Sequence, residues 1–171
     1  MPFTMRHLGT AEYGLWMLAA SMTAYLQLLD LGYGNLTDES ARLLAASPDN
    51  VLLAQRAFGQ ALAAGDRELA LTAARILDRA GEPKTDVSLF LLTEALRADD
   101  WKRAESYLAR IEQDEVFGFI APIARAWIAA ETGKGDPFAL LAGAETSPAG
   151  KSYAAEHRPL LLLATGHHAQ G

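Results

Sequence analysis

One pattern in the sequence repeats at a fixed offset. The block "LAAGDRELALTAARIL" (62–77) aligns without a gap with "LRADDWKRAESYLARI" (96–111). The offset superposes Ala61 on Ala95, Leu62 on Leu96, Asp66 on Asp100, Ala70 on Ala104 and Leu77 on Ile111. Each block has the pattern of a helix, a two-residue polar turn and a second helix. A fixed period of this length predicts stacked helical units, because one such unit cannot bury its apolar face alone.

The composition favours helices along the whole chain. The 171 residues are dominated by Ala and Leu, include no cysteine and carry a net charge of −6, and Ala and Leu are strong helix formers. No window alternates apolar and polar residues as a half-buried strand does. We therefore predict an all-α fold in which antiparallel helix hairpins stack as a short solenoid. The lack of cysteine excludes disulfides and thiol catalysis, and the acidic balance argues against nucleic acid as a partner.

Turn and cap residues set the expected helix boundaries. The stretches "SPDN" (47–50) and "GEPKTD" (81–86) interrupt helices and offer N-caps for the next ones. Helices are predicted at 38–46, 51–64, 67–80, 86–98, 100–113, 119–131, 137–144 and 152–164. Pro159 is expected to kink the last of them, and the tail "TGHHAQG" is expected to be frayed.

The period and the helix–turn–helix units resemble the tetratricopeptide repeat family over about 37–132. The residues that carry the resemblance are Gly65, Asp66, Ala70, Asp100 and Ala104, with the closing prolines Pro48 and Pro83. Two units, 51–84 and 85–118, fit recognisably, although Phe58 and Leu92 replace the family's early-helix glycine. The resemblance implies a non-catalytic module that binds a peptide or a partner protein in a concave helical groove.

In that family the first helix of each unit lines the groove, so polar and aromatic residues on those helices are candidate contacts. By this resemblance the groove residues are Gln55, Thr93, Arg97 and Trp127. A groove arginine beside an aromatic side chain suits an extended peptide or a C-terminal carboxylate. For Trp127, which follows Arg125 on an apolar helix, packing in the core is the alternative interpretation.

The N-terminal 36 residues have a different character. From Tyr13 to Leu29 the chain carries no charged residue, and as a helix this segment would be about 25 Å long, just short of a hydrocarbon core of about 30 Å. The stretches "LG", "YGLW" and "LDLGYGN" within 8–36 resemble an early transmembrane segment of polysaccharide flippases. A single span cannot build a transport path.

We divide the chain into an apolar N-terminal helix segment, 1–36, and a repeat domain, 37–171. Three interpretations of the first segment stay open: a helix buried against Leu43, Leu44 and Leu52, a membrane-associating segment through residues 13–29, or a signal-like segment. The membrane alternative gives a second functional hypothesis, a tethered remnant related to flippases. The junction between the flippase-like segment and the repeat domain would then be a biological fusion or an artefact of the gene model. We expect a cytoplasmic protein, with membrane association as the alternative.

Motifs for catalysis or cofactor binding are weak. The tripeptide "GKS" (150–152) ends like a phosphate-binding loop, but Glu145 stands where that loop needs a small residue. The stretch "LGYGNL" lacks the third glycine of a dinucleotide site. His167 and His168 are adjacent, and adjacent side chains on a helix diverge by about 100°. We therefore predict no enzymatic activity, no cofactor and no metal site.

The acidic residues are expected in turns and on solvated faces. Asp99 and Asp100 are explained as turn and cap residues. The glutamates expected on solvated faces, with Arg97 and Arg110 nearby, are Glu94, Glu105 and Glu112. Pairing on such faces contributes little stability.

Overall fold

The computed structural model describes residues 37–81 and 84–166, and all regular structure in that part of the chain is helical. The α-helices are α1 (Thr37–Ala46), α2 (Val51–Ala64), α3 (Arg67–Arg79), α4 (Thr85–Arg97), α5 (Trp101–Ile111), α6 (Ile120–Thr132), α7 (Pro137–Ala142) and α8 (Pro148–Ala164), with a 3₁₀ helix, Gly143–Thr146, before the last. The predicted all-α class is confirmed for these residues. The expected apolar helix at 13–29 lies outside them.

The observed boundaries of α1 to α7 agree with the expected ones to within two residues, but α8 begins earlier than the sequence predicted, at position 148 in place of 152. Ser147 is its N-cap, and the Ser147 hydroxyl accepts a hydrogen bond from the Gly150 amide at 3.0 Å. Pro148 follows in the first turn, where a missing N–H leaves no hydrogen bond unmade. The helix runs on through Pro159.

The described residues form two compact units, 37–94 and 95–166. In the first unit α2 packs against both α1 and α3. The buried faces of α2 and α3 are rich in alanine, since Ala54, Ala57, Ala61, Ala70, Ala73 and Ala74 are all buried. Phe58 fills the larger space and meets the ring of Phe90 edge to face, with the ring centroids 5.6 Å apart. Small side chains thus let these helices approach closely around one aromatic pair.

In the second unit α6 is the central helix and contacts α5, α7 and α8. Seven of its residues are buried: Ile120, Ala121, Ile123, Ala124, Ala126, Trp127 and Ala129. A helix that is apolar on most of its circumference is stable only when neighbours surround it. The neighbours supply fully buried side chains, among them Leu108, Leu141 and Leu161.

One helix-ending conformation occurs at positions 65, 99 and 133, which are separated by the period of the sequence repeat. Gly65, Asp99 and Gly133 have φ angles of 71°, 52° and 65°, in the left-handed region that ends helices and normally requires glycine. Asp99 is the one residue other than glycine with a positive φ among the described residues. Aspartate tolerates this region better than most residues.

The first two of these turns also match bond by bond. The amide of Asp66 donates to the carbonyl of Ala61 at 2.8 Å, and the amide of Asp100 donates to the carbonyl of Ala95 at 2.9 Å. The two aspartates then cap the next helix in the same way, since their carboxylates accept from the backbone amide three residues later at 3.0 and 3.1 Å. The sequence repeat is therefore a repeat of backbone geometry at these turns.

The third turn is two residues longer. Gly133 is followed by Gly135, with φ of 96°, and the N-cap is Asp136, whose carboxylate accepts from the amides of Phe138 and Ala139 at 2.8 and 3.2 Å. Lys134 occupies the position of the capping aspartate in the two earlier turns. The added residues delay the start of α7.

Candidate functional site

The four predicted groove residues are divided between the two units. In the first unit, Gln55 on α2 and Thr93 on α4 are half-buried, and the Thr93 hydroxyl donates to the carbonyl of Phe90 at 2.7 Å. In the second unit, Arg97 ends α4 and is exposed, while Trp127 lies within α6. Among the described residues Arg97 has no ion-pair or hydrogen-bond partner for its side chain.

Trp127 is a core residue. It is 0% exposed, and its indole Nε1–H donates to Nδ1 of His157 on α8 at 3.0 Å. The two rings meet edge to face, with centroids 6.1 Å apart. A buried indole whose N–H group is occupied has no surface to offer a partner. Core packing, the alternative interpretation of this residue, therefore replaces its assignment to the groove.

No sequence signal indicated the partner of Trp127. His157 is 6% exposed, and burial lowers the pKa of its imidazole below the ordinary value, with an opposing contribution from Glu156. Because Nδ1 accepts the indole hydrogen bond, the neutral ring carries its proton on Nε2. The two residues are 30 positions apart, beyond the reach of any local helical spacing.

A second interhelical link in this unit is made by Arg125. The guanidinium on α6 pairs with Glu105 on α5 at 2.8 Å and with Glu112 at the end of α5 at 2.9 Å. Hydrogen bonding to Glu105 and Glu112 raises the pKa of Arg125, against the opposing effect of burial. The two glutamates were expected near Arg97 and Arg110, but the structure gives them a partner on the next helix. Glu94 likewise pairs across helices, with Arg67 of α3.

Beside this ion pair the second unit has an open depression of about 310 Å³. Its wall combines a half-buried indole, apolar side chains, a hydroxyl and charged groups: Trp101, Glu105, Arg125, Ile128, Ala129, Thr132, Lys134 and Leu140. Arg125 pairs with Glu105 and also with Glu112, which does not line the depression, and Lys134 has no ion-pair partner in the described part of the chain. The wall therefore offers one aromatic surface and one free positive charge.

The Thr132 side chain is fixed in this wall. Its hydroxyl donates to the carbonyl of Ile128 at 2.7 Å. Sequence reasoning missed this depression because its residues come from three helices, α5, α6 and α7, and from the turn that carries Lys134. The third left-handed residue, Gly133, is the one sequence signal that marks the place, since it lies one repeat period after Asp99.

Two further properties concern the residues that the structure describes. None of their His, Asp and Glu side chains gather in threes as a metal site requires. The helices in this part are also too short or too polar to span a bilayer.

Comparison with known proteins adds no assignment, because no family model, curated protein or solved structure matches this chain. The resemblances to tetratricopeptide repeats and to flippases therefore stay predictions from the sequence. The structural features that bear on function are the repeated turn and the depression in the second unit.

Proposed function

We propose that this chain is a non-catalytic helical-repeat module, of the tetratricopeptide type, that binds an extended peptide or a partner protein. The observation that supports the proposal most directly is the recurrence of one helix-ending turn at Gly65, Asp99 and Gly133. Repeating helical units bury their apolar faces against their neighbours and leave an extended surface for partners. The stacked arrangement of hairpins is part of this proposal.

The spacing of buried side chains also supports a third repeat unit, to which α6 belongs. Positions 61, 95 and 129 are all buried alanines, and positions 58, 92 and 126 are all buried apolar residues. A small residue one turn before each left-handed residue leaves space for the helix that follows. The third set belongs to α6, which follows the two units, 51–84 and 85–118, that fit the family recognisably.

We place the partner in the depression of the second unit. Trp101 offers an aromatic face beside Ile128 and Leu140, and such aromatic anchors contribute much of the affinity at protein interfaces. Lys134 supplies a positive charge that pairs with no carboxylate of the described residues. A peptide with an apolar side chain next to an acidic one, or next to its own terminal carboxylate, complements this wall.

Arg97 also favours a partner with an acidic side chain or a terminal carboxylate. Its exposed guanidinium is free among the described residues, and guanidinium groups bind carboxylates with two parallel hydrogen bonds. An acidic peptide is therefore favoured over a basic one. Gln55 and Thr93 of the first unit remain candidate contacts for a longer partner.

The proposal is tested by selecting peptides from a displayed random library on the full chain and titrating the enriched sequences by calorimetry. Lys134→Glu reverses the free charge of the depression and should weaken binding by about tenfold or more. Lys151→Glu is the matched control, because Lys151 is an exposed lysine of the same unit that does not line the depression. It should change the affinity by less than about twofold.

Three results would contradict the proposal as stated. The first is that no peptide binds the chain saturably, which removes the peptide-binding function. The second is that the enriched peptides are basic, which opposes the charge argument. The third is that Lys134→Glu and Lys151→Glu have the same effect, which removes the depression as the site.

A further inference from the structure

The α5–α6 interface has an ion pair and an apolar pair at positions that the α3–α4 interface occupies in the opposite order. Arg67 and Trp101 are equivalent, because each begins a helix directly after a capping aspartate. Glu94 and Ile128 are equivalent, because each lies five positions before a left-handed residue. The repeat period therefore matches the two interfaces residue by residue.

At the first pair of positions a salt bridge is replaced by apolar side chains. Arg67 of α3 donates through Nε to the carboxylate of Glu94 on α4 at 3.0 Å, and it pairs with this carboxylate through Nη2 as well. One period later the same positions hold Trp101 and Ile128, which both line the depression of the second unit. The wall of the depression is thus apolar where the equivalent place one period earlier holds charged groups.

At the second pair of positions, one helical turn away, apolar side chains are replaced by a salt bridge. Leu71 on α3 is half-buried and Leu91 on α4 is 4% exposed. One period later these positions hold Glu105 and Arg125, whose side chains pair at 2.8 Å. Each interface therefore has an ionic pair and an apolar pair at these four positions, and the order of the pairs along the helices is reversed.

The reversed order brings an apolar pair to the wall of the depression. Trp101 and Ile128 are both half-buried, so part of each apolar surface faces solvent. Covering such a surface with an apolar group is favourable, whereas covering an ion pair at the same place would remove its hydrogen bonds to water. The pair of Arg67 and Glu94 shows that charged residues fit the backbone at these positions.

We propose that Trp101 and Ile128 determine the specificity of the depression, and that they select one large apolar side chain of the partner as its anchor. The inference rests on the proposed peptide-binding function. A volume of about 310 Å³ is at the lower end of the range for ligand pockets, which suits a single side chain. Lys134 adds a preference for an acidic group near that anchor, since it has no ion-pair partner among the described residues.

The test gives the second unit the side chains that the first unit carries at the equivalent positions. Trp101→Arg with Ile128→Glu does this without a change in net charge. A displayed random peptide library is selected on the natural full chain and on this variant. We expect the peptides enriched on the natural protein to share one large apolar position. The variant should lose that preference and bind the strongest of these peptides about thirtyfold more weakly.

Ser152→Glu with Ala155→Arg is the matched control. It adds the same two charged side chains at exposed positions of α8, outside the depression. It should change the affinity for that peptide by less than about twofold. Circular dichroism and the urea midpoint verify that both double variants fold.

A double-mutant cycle keeps the inference testable if Trp101→Arg with Ile128→Glu does not fold. The first change is Trp101→Gln, and the second is the replacement of the peptide's apolar anchor by alanine. Because the inference places these two side chains in contact, their effects on affinity should not add. Additive effects would show that the anchor does not lie against Trp101.

The results separate this inference from the proposed function. If no peptide is enriched on the natural protein, both fail. If enriched peptides bind the natural protein and Trp101→Arg with Ile128→Glu equally well, the peptide-binding function stands and the specificity assignment is wrong. The assignment is also overturned if the enriched peptides share no apolar position, or if Ser152→Glu with Ala155→Arg weakens binding as much as the exchange in the wall.

Discussion

The indole of Trp127 donates a hydrogen bond to Nδ1 of His157 across 3.0 Å and thereby joins α6 to α8. Both side chains are buried, so neither has water as an alternative partner. A buried acceptor that loses its donor costs the full desolvation of that atom. This pair therefore holds α8 against α6, and it uses the neutral form of the histidine.

Replacing the indole tests the pair. Trp127→Phe keeps an aromatic ring but leaves Nδ1 of His157 without a donor and creates a small void. We expect a loss of about 2–4 kcal/mol in the free energy of unfolding, measured by urea denaturation. Trp101→Phe is the control, because Trp101 is half-buried at the edge of the depression. Equal losses in the two variants would contradict the larger contribution of the buried indole.

The stability should fall in mild acid because of His157. Burial lowers the pKa of its imidazole in the folded protein, whereas in the unfolded chain the imidazole has the ordinary histidine pKa of about 6.5. Below that pH the unfolded state therefore binds more protons than the folded state, and stability decreases as pH falls from about 6.5 toward the folded pKa. The charged ring would also point an Nδ1–H at the indole N–H.

His157→Asn separates this contribution from those of other groups. The asparagine side chain still presents an oxygen that can accept the indole hydrogen bond, but it does not titrate. Between about pH 7.5 and about pH 5.5 the urea midpoint should fall less in this variant than in the natural protein. The same fall in both proteins would mean that another group is responsible.

Arg125 should stabilise the second unit more than an ordinary surface arginine. Its side chain is 20% exposed, and its guanidinium pairs with Glu105 on α5 and with Glu112, the residue that follows α5. Arg125→Met removes both pairs while keeping the aliphatic stem, and it should cost about 1 kcal/mol. Arg158→Met removes a single pair with Glu145, and the Arg158 side chain is 45% exposed, so this change should cost less. High salt should reduce the difference between the two variants in their loss of unfolding free energy. A larger loss for Arg158→Met than for Arg125→Met would contradict this account.

Two glycine-to-alanine changes on or beside α2 should have opposite signs. At Gly65, with φ of 71°, an added Cβ meets no atom within 4 Å, so Gly65→Ala should lose about 1 kcal/mol through backbone conformation alone. At Gly59, inside the helix, the added Cβ also meets nothing within 4 Å, and Gly59→Ala should gain about 0.5–1 kcal/mol. Thermal unfolding of both variants measures these two changes in stability. A change of the same sign in both would contradict the role of the turn.

The helix boundaries could be predicted because their determinants are local. Asp66 and Asp100 act on backbone amides three residues away, and each lies next to the left-handed residue that ends the preceding helix. The start of α8 was missed although its signal, Ser147 followed by Pro148, is equally local.

The interhelical contacts could not be predicted from spacing. Trp127 and His157 are 30 residues apart, and Arg125 lies 20 residues from Glu105. Arg97 and Arg110 were the expected neighbours of the glutamates because they are near in sequence. The glutamates instead pair with arginines that helix packing brings close, and local sequence spacing does not predict those contacts.

The match between the turns at Gly65 and Asp99 has an evolutionary consequence. A crossover in the coding DNA between these two points would join α2 directly to α5 through the same backbone bonds, with an aspartate ready to cap the new helix. The shortened chain would keep every helix end paired. Such a junction would preserve the turn and its cap when a whole unit is gained or lost in one genetic event.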